Sequence, residues 1–250
     1  MKNCLVIGNG WLGNIIKDYL GATMSKLRLE SISSVDLSGY DVVINCAGET
    51  DVDYCETEKW VAYHNNTEGV KNLAIACEMA NVLLMQMSSG CIYDSTMPVY
   101  ENDIPNPKSW YATTKMIAEQ TIFDQHPDTI AVRLRMPISS TPHQRNLLNK
   151  LKKYDKVHEV PQSITVVEDM LPKLKELIKE RRVGIHHMCN KGTISMAEIK
   201  DLMGDKFAIV RKEEIKQKAQ RADTVMGNSI LPNIHTRIEK IINKWSKLCV

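Results

Sequence analysis

Tyr111 and Lys115 in "SWYATTK" stand four residues apart, the spacing that brings two side chains to one face of a helix. A lysine ammonium beside a phenol favours the phenolate, and a cationic nicotinamide ring would act in the same direction. Such a pairing makes Tyr111 a proton donor or acceptor usable near neutral pH. Upstream, "MSSGCIYDS" (87–95) places Ser89 at the end of an apolar run, where its hydroxyl would give the same substrate oxygen a second hydrogen bond. Residues two apart in a strand face one side, so Cys91 is expected to share the space of Ser89. A cysteine there is either core filling or a second catalytic group, and the spacing leaves both open.

This chemistry calls for a hydride carrier. "VIGNGWLGNII" sets Gly8, Gly10 and Gly13 between a strand and a helix in the spacing G-x-G-x-x-G, with Trp11 and Leu12 inside the loop. These glycines allow a tight turn and close approach of a pyrophosphate to the positive helix N-terminus. "NCAG", with Cys46, Ala47 and Gly48, ends the next strand beneath the cofactor, and Asp36–Leu37 is expected at the adenine. No acidic residue suited to a ribose diol follows the second strand. "TMSKLR" instead offers Ser25, Lys26 and Arg28 to a 2′-phosphate, so the reading favours NADPH, with NADH as the alternative.

The elements that must carry these residues alternate. Apolar runs at 3–8, 41–48, 81–89 and 129–136 read as buried strands, and helical patterns fall at 11–20, about 56–80 and about 110–125. That order predicts an α/β fold, a Rossmann-like doubly wound parallel sheet over residues 1–136. A helix near 165–181 and a strand near 184–189 return to the sheet, so the core is rejoined by about 164–189. A short basic helix at 144–153, a loop or edge strand at 158–163 and the helix "NIHTRIEKIINKWSK" (233–247) belong to a small C-terminal substrate-binding lobe. It comprises 137–163 and 190–250 and closes over the strand ends.

The chain has 250 residues, 43% of them apolar, enough for one such core. A net charge of +2 is too mild to argue for nucleic acid or an anionic membrane. No apolar run approaches the roughly 18 residues of a membrane span, and "MKNCLVIGNG" lacks the layout of a signal peptide. Seven cysteines without a C-x-x-C pair fit a reducing compartment, so a soluble cytoplasmic protein is expected. "HHMC" (186–189) has no partner cluster and reads as a strand end, leaving no metal site.

Together "GNGWLG", "NCAG", "VDYCE", "NNTEGV", "SSGCIY", "YATTK" and "RLRMPISS" resemble the extended short-chain dehydrogenase/reductases, which work on nucleotide sugars. The resemblance implies an active triad of Ser89, Tyr111 and Lys115, with Asn66 of the N-x-x-G motif ordering the cofactor site. Within that family, "GCI" and "RLRMPISS…RNLLNKLKKYDKV…VPQSITVVEDMLP" resemble the bifunctional 3,5-epimerase/4-reductases that complete UDP-rhamnose, and more distantly the dTDP-4-dehydrorhamnose reductases. There, epimerisation depends on a cysteine in G-C-I and a lysine in R-N-x-x-x-K, which match Cys91 and Lys150. Gly90 and Asn146, inside these motifs, are expected beside the substrate. Arg221 in "QRAD" is a candidate for the substrate diphosphate, a solvated surface arginine being the alternative.

The implied substrate is a nucleotide-linked 4-keto-6-deoxyhexose, UDP-linked on this resemblance, and a homodimer is a further expectation. Carbons 3 and 5 flank the ketone, so their protons can be exchanged through an enolate by two groups set across the ring. The segments 48–56 and 92–110 look shorter than in the plant enzymes, which leaves the substituent on carbon 2 open between hydroxyl and acetamido. A reductase without epimerase activity, and a cofactor-binding regulatory subunit, are the competing functions.

Overall fold

The structure, a computed structural model, describes residues 3–26, 29 and 36–249. Its centre is a sheet of six parallel strands: β1 (Cys4–Ile7), β2 (Thr23–Met24), β3 (Val42–Asn45), β4 (Leu83–Ser89), β6 (Thr129–Leu134) and β10 (Gly184–His187). Between β4 and β6 lies the short β5 (Ser95–Val99). β7 (Pro137–Ile138), β8 (Lys156–Val157) and β9 (Thr165–Val166) precede β10. The sheet order is β10-β6-β4-β3-β1-β2. Helices cover both faces of the sheet, which is why "CLVI", "VVIN" and "TIAVRL" are buried along their whole length rather than alternating.

The chain winds outward from β1 to β2, then crosses back to place β3 on the other side of β1. This reversal opens a crevice at the carboxyl ends of β1 and β3, where a doubly wound sheet binds ligands. Gly8 makes the crevice possible. It has φ +100°, and a Cβ there would lie 2.5 Å from the Ala47 nitrogen. From this turn α1 (Trp11–Leu20) departs, closed by Gly21 in the left-handed conformation.

The expected helix over 56–80 is three pieces. Asp51 accepts from the Asp53 and Tyr54 N–H groups and starts α2 (Val52–Thr57) early, and Glu58 leaves helical geometry. After α3 (Lys59–Tyr63), a π-turn at His64–Glu68 leads into α4 (Gly69–Ala80). A π-turn widens the backbone locally and often marks a functional site; Asn66 sits on it. α5 (Trp110–Gln125) begins at Ser109, whose hydroxyl accepts from Ala112 N–H.

β6 ends at Leu134, and Met136, with φ +38° immediately before Pro137, turns the chain out of the sheet. Beyond it come α6 (Leu147–Leu151) and α7 (Val167–Lys179), the latter returning to pack on the sheet with α1. Then follow β11 (Asn190–Lys191), α8 (Met196–Met203), β12 (Ala208–Ile209), β13 (Thr224–Met226), β14 (Leu231–Asn233) and α9 (Ile238–Leu248). Residues from α6, β9, α8 and α9 form a hydrophobic cluster of their own, with Ile164, Ile199, Ile238 and Trp245 in it. β13 pairs with β5, so residues 221–226 of the tail lie against the turn that follows β4. Neither strand was legible as such in the sequence. No helix among the described residues is long and apolar enough to cross a membrane.

Candidate active site and family

The glycine loop fits a pyrophosphate. Gly10 is the N-cap of α1 and offers no side-chain cap, so the first N–H groups of the helix lack a side-chain partner. A Cβ on Gly10 would meet nothing within 4 Å, whereas one on Gly13 would come 1.8 Å from the Gly8 carbonyl oxygen. Gly13 is thus needed for packing, and Gly10 keeps open the space above the helix end. Trp11, in the same loop, stacks on His143, between β7 and α6, with centroids 5.5 Å apart. Leu12 packs against the core on the α1 face.

On the opposite wall Ala47 N–H donates to Asn45 Oδ1, and Asn45 Nδ2 donates to Gln86 Oε1, locking the end of β3 to β4. Asn66 is wholly buried. It receives Glu49 N–H on Oδ1 and donates through Nδ2 to the Glu49 carbonyl and Thr114 Oγ1. Gly48 has φ +146°, and a Cβ on it would lie 2.7 Å from Asn66 Oδ1 and 3.3 Å from Lys115 Nζ. Asn66, Gly48 and Lys115 are therefore in close contact, as the N-x-x-G reading expects. Cys46 borders Lys115 as well.

Ser89 ends β4 and accepts the Cys91 N–H on its Oγ at 3.1 Å, which turns the hydroxyl proton outward. The Tyr111 phenol faces Ser89 and Cys91. Gly90 packs closely on β13: a Cβ there would meet Met226 Sδ at 2.4 Å, so the Met226 side chain would have to move. Cys91 is partly exposed and accepts a hydrogen bond from Arg135 Nη1 at 2.9 Å. Ser89, Cys91, Tyr111 and Lys115 thus lie at one end of the sheet, contributed by β4 and α5.

The expected charge pairing does not dominate this group. Burial pushes the Lys115 ammonium down to about 8, and burial, with the facing Cys91, raises the Tyr111 phenol above its ordinary value. Desolvation is the largest cause at both groups. A neutral phenol is the form that can give a proton.

Lys150 projects from α6 beside Arg145, Arg221 and Asp51, and burial together with the two arginines lowers its pKa. Asn146 does not reach toward a ligand as expected. Its Nδ2 donates to the Ser139 and Thr141 carbonyls and its Oδ1 caps Leu148 N–H, so it shapes the loop that carries Lys150. Arg221 pairs with Asp53 through Nη2 at 3.0 Å, while its Nη1 is buried without a partner.

Asp36 and Leu37 are misplaced in the sequence reading. Asp36 closes a turn onto Ser38 N–H, and Leu37 is buried under α4. They border a cavity of about 310 Å³ with Asn72, Ile75 and Met79, toward the C-terminal end of α4. That is the edge where β3 begins, opposite the glycine loop. The short connection from Asp36 to Val42 leaves no strand to carry them across. Of the 2′-phosphate candidates, Ser25 is half-buried and Lys26 exposed after β2, and Arg28 lies outside the described residues.

Sequence reasoning passed over Arg135 and Gln162. Arg135 donates to Gln162 Oε1 and to the Ala222 carbonyl as well as to Cys91. The signal was present: two arginines, Arg133 and Arg135, interrupt an otherwise apolar buried strand.

The sequence profile of the RmlD substrate-binding domain matches residues 29–228. The chain belongs to this family. A bifunctional dTDP-4-dehydrorhamnose 3,5-epimerase/dTDP-4-dehydrorhamnose reductase of Arabidopsis thaliana is 32% identical over 226 residues, 81% of this chain and 75% of that protein. A trifunctional UDP-glucose 4,6-dehydratase/UDP-4-keto-6-deoxy-D-glucose 3,5-epimerase/UDP-4-keto-L-rhamnose-reductase of the same plant is 33% identical over 218 residues. That match covers 78% of this chain but 32% of the plant protein, so the chain spans about a third of its length. Among solved structures, the L780 UDP-rhamnose synthase of Acanthamoeba polyphaga mimivirus superposes with a TM-score of 0.90 at 23% identity, covering 97% of this chain and 99% of that one. A dTDP-4-dehydrorhamnose reductase of Bacillus anthracis, in complex with NADP, gives 0.82 at 22% identity, with 99% of both chains covered. At these identities the likeness establishes the RmlD-type Rossmann fold.

Proposed function

We propose that the protein is an NADPH-dependent reductase of a nucleotide-linked 4-keto-6-deoxyhexose that also inverts carbons next to the ketone, giving a rhamnose-type sugar nucleotide. The observation that carries this reading is the grouping of Ser89 and Cys91 after β4 with the Tyr111 phenol facing them, and Lys115 of the same helix against Gly48 and Asn66. The open notch at Gly10, the uncapped α1 N-terminus and the Gly48–Asn66–Lys115 contact fit a nicotinamide dinucleotide. Once bound, it supplies hydride to carbon 4.

The chain's own groups do the rest. The ketone oxygen accepts hydrogen bonds from Ser89 and Tyr111, which makes the neighbouring C–H bonds acidic. A base removes a proton from carbon 3 or 5, the C–H electron pair moves into the ring, and negative charge collects on the oxygen held by those two donors. Return of a proton from the other face inverts the carbon. Cys91 and Lys150 are the two proton carriers; the depressed pKa of Lys150 makes its neutral amine accessible nearer neutrality. In reduction, the alkoxide formed at carbon 4 takes the Tyr111 proton, and Lys115 stabilises the phenolate left behind. Arg221 is the candidate for the diphosphate, a reading supported by its unpartnered buried Nη1.

The test is proton NMR in heavy water with UDP-4-keto-6-deoxyglucose and no reduced cofactor. Deuterium entering carbons 3 and 5 is the expected result. Absence of exchange, with both this sugar and its 2-acetamido analogue, leaves a reductase only.

A further inference from the structure

Among the described residues, Arg135 is a buried cation without a carboxylate partner. It is 6% exposed, and its guanidinium is bonded to Gln162 Oε1, the Ala222 carbonyl and Cys91 Sγ, with Nε buried and unpartnered. A guanidinium stays protonated in a protein and only donates hydrogen bonds. Leaving its charge uncompensated in the interior is costly. Of its three bonded partners, an amide, a peptide carbonyl and a thiol, only the thiol can become an anion. The other groups facing Cys91, Tyr111 and Cys189, bring no positive charge.

We propose that Arg135 is the positioning residue for Cys91, fixing its sulfur and stabilising the negative charge the sulfur carries whenever it has released its proton. The inference rests on the reading of Cys91 as a proton carrier. When the sulfur takes a substrate proton, an S–H bond forms and a C–H bond breaks. The electron pair moves to the ketone oxygen. Negative charge therefore leaves the Arg135 end of the site and arrives at the Ser89–Tyr111 end, and return of the proton reverses it. Gln162 and the Ala222 carbonyl hold the guanidinium in place without neutralising it.

Iodoacetamide labelling near neutral pH, resolved by peptide mass spectrometry, tests this without requiring turnover. Exposed Cys249 is the internal reference. A stabilised sulfur anion makes Cys91 react faster than Cys249 in the unaltered protein; slower labelling of Cys91 overturns the proposal. Arg135→Gln, which retains donors for Gln162 and Ala222, is expected to slow Cys91 about 10-fold relative to Cys249. Arg135→Lys is expected to restore much of the loss. Unchanged labelling of Cys91 in Arg135→Gln, in a variant with the parent melting temperature, also overturns it. Should the unaltered protein fail to exchange deuterium into the sugar, the epimerase reading falls, while the labelling ratio still decides whether Arg135 governs Cys91.

Discussion

Arg133 and Arg135 stand two residues apart on the same buried strand end and live in opposite surroundings. Arg133, 2% exposed, is paired with Glu119 on α5, and Glu119 also accepts the Ser88 hydroxyl. Its remaining donors reach the Tyr93 hydroxyl and the Glu101 carbonyl. This network is closed, with charge balanced and hydrogen bonds made. Arg135 has neutral partners, an unpartnered Nε and a cysteine sulfur. A buried charge that is fully compensated holds a fold together; one that is not compensated marks where the protein expects an anion.

The largest effect that could break this contrast is on stability. Glu119→Gln leaves Arg133 buried without its counter-charge and is expected to cost about 3–5 kcal/mol in urea unfolding. A loss below about 1 kcal/mol would mean that the two arginines are less different than their partners imply. Arg135→Gln, by comparison, is expected to cost only about 1 kcal/mol, since it removes an uncompensated charge and keeps donors for the neutral partners. An equal loss in the two variants would remove the distinction between a structural and a site arginine.

A pH series sharpens the same comparison, because other thiols of the molecule are buried without a cation bonded to them. Burial raises Cys4, Cys46, Cys55, Cys77 and Cys189 from the ordinary 9.0 to about 12. Between those values the unfolded chain has lost thiol protons that the folded chain keeps, so stability falls as pH rises, by up to about 1.4 kcal/mol per unit for each thiol. Lys115 acts oppositely. Its pKa falls from 10.5 to about 8, so the cost of burying its charge is present below about 8 and is relieved as pH climbs toward 10.5. Five thiols outweigh one lysine, and the urea midpoint is expected to drop between pH 9 and 10. A rising midpoint would show that Lys115 dominates. A smaller effect concerns the glycine loop: Gly10→Ala is expected to fold normally and weaken NADPH binding about tenfold, because its Cβ enters open space kept for the pyrophosphate. Unchanged binding, measured by cofactor fluorescence, would detach that notch from the cofactor.

What the sequence revealed was local in the chain. The spacing of Tyr111 and Lys115, the Gly8–Gly10–Gly13 loop and the apolar strands depend on neighbours a few residues away, and α1 and α5 occupy the ranges that their periodicity indicates. The break in the 56–80 helix hinged on one Asp51 cap and one Glu58 backbone turn, which periodicity does not register. Asp36 and Leu37 were misplaced because the connection before β3 is too short to bring them round to the glycine loop. The bond between Arg135 and Cys91 spans 44 residues and exists because β4 and β6 are adjacent in the sheet. It could have been suspected only from the presence of a second arginine in "TIAVRLRM".

One oxyanion site serving two separable proton chemistries is the central claim, and Cys91→Ala measures it most directly. The variant would be given the 4-ketone before inversion and, separately, the inverted ketone, with deuterium exchange and NADPH oxidation followed on each. Exchange is expected to fall by about 100-fold or more, while reduction of the inverted ketone stays within about threefold of the parent. Undiminished exchange, or a parallel loss of both activities in a folded protein, would contradict the account.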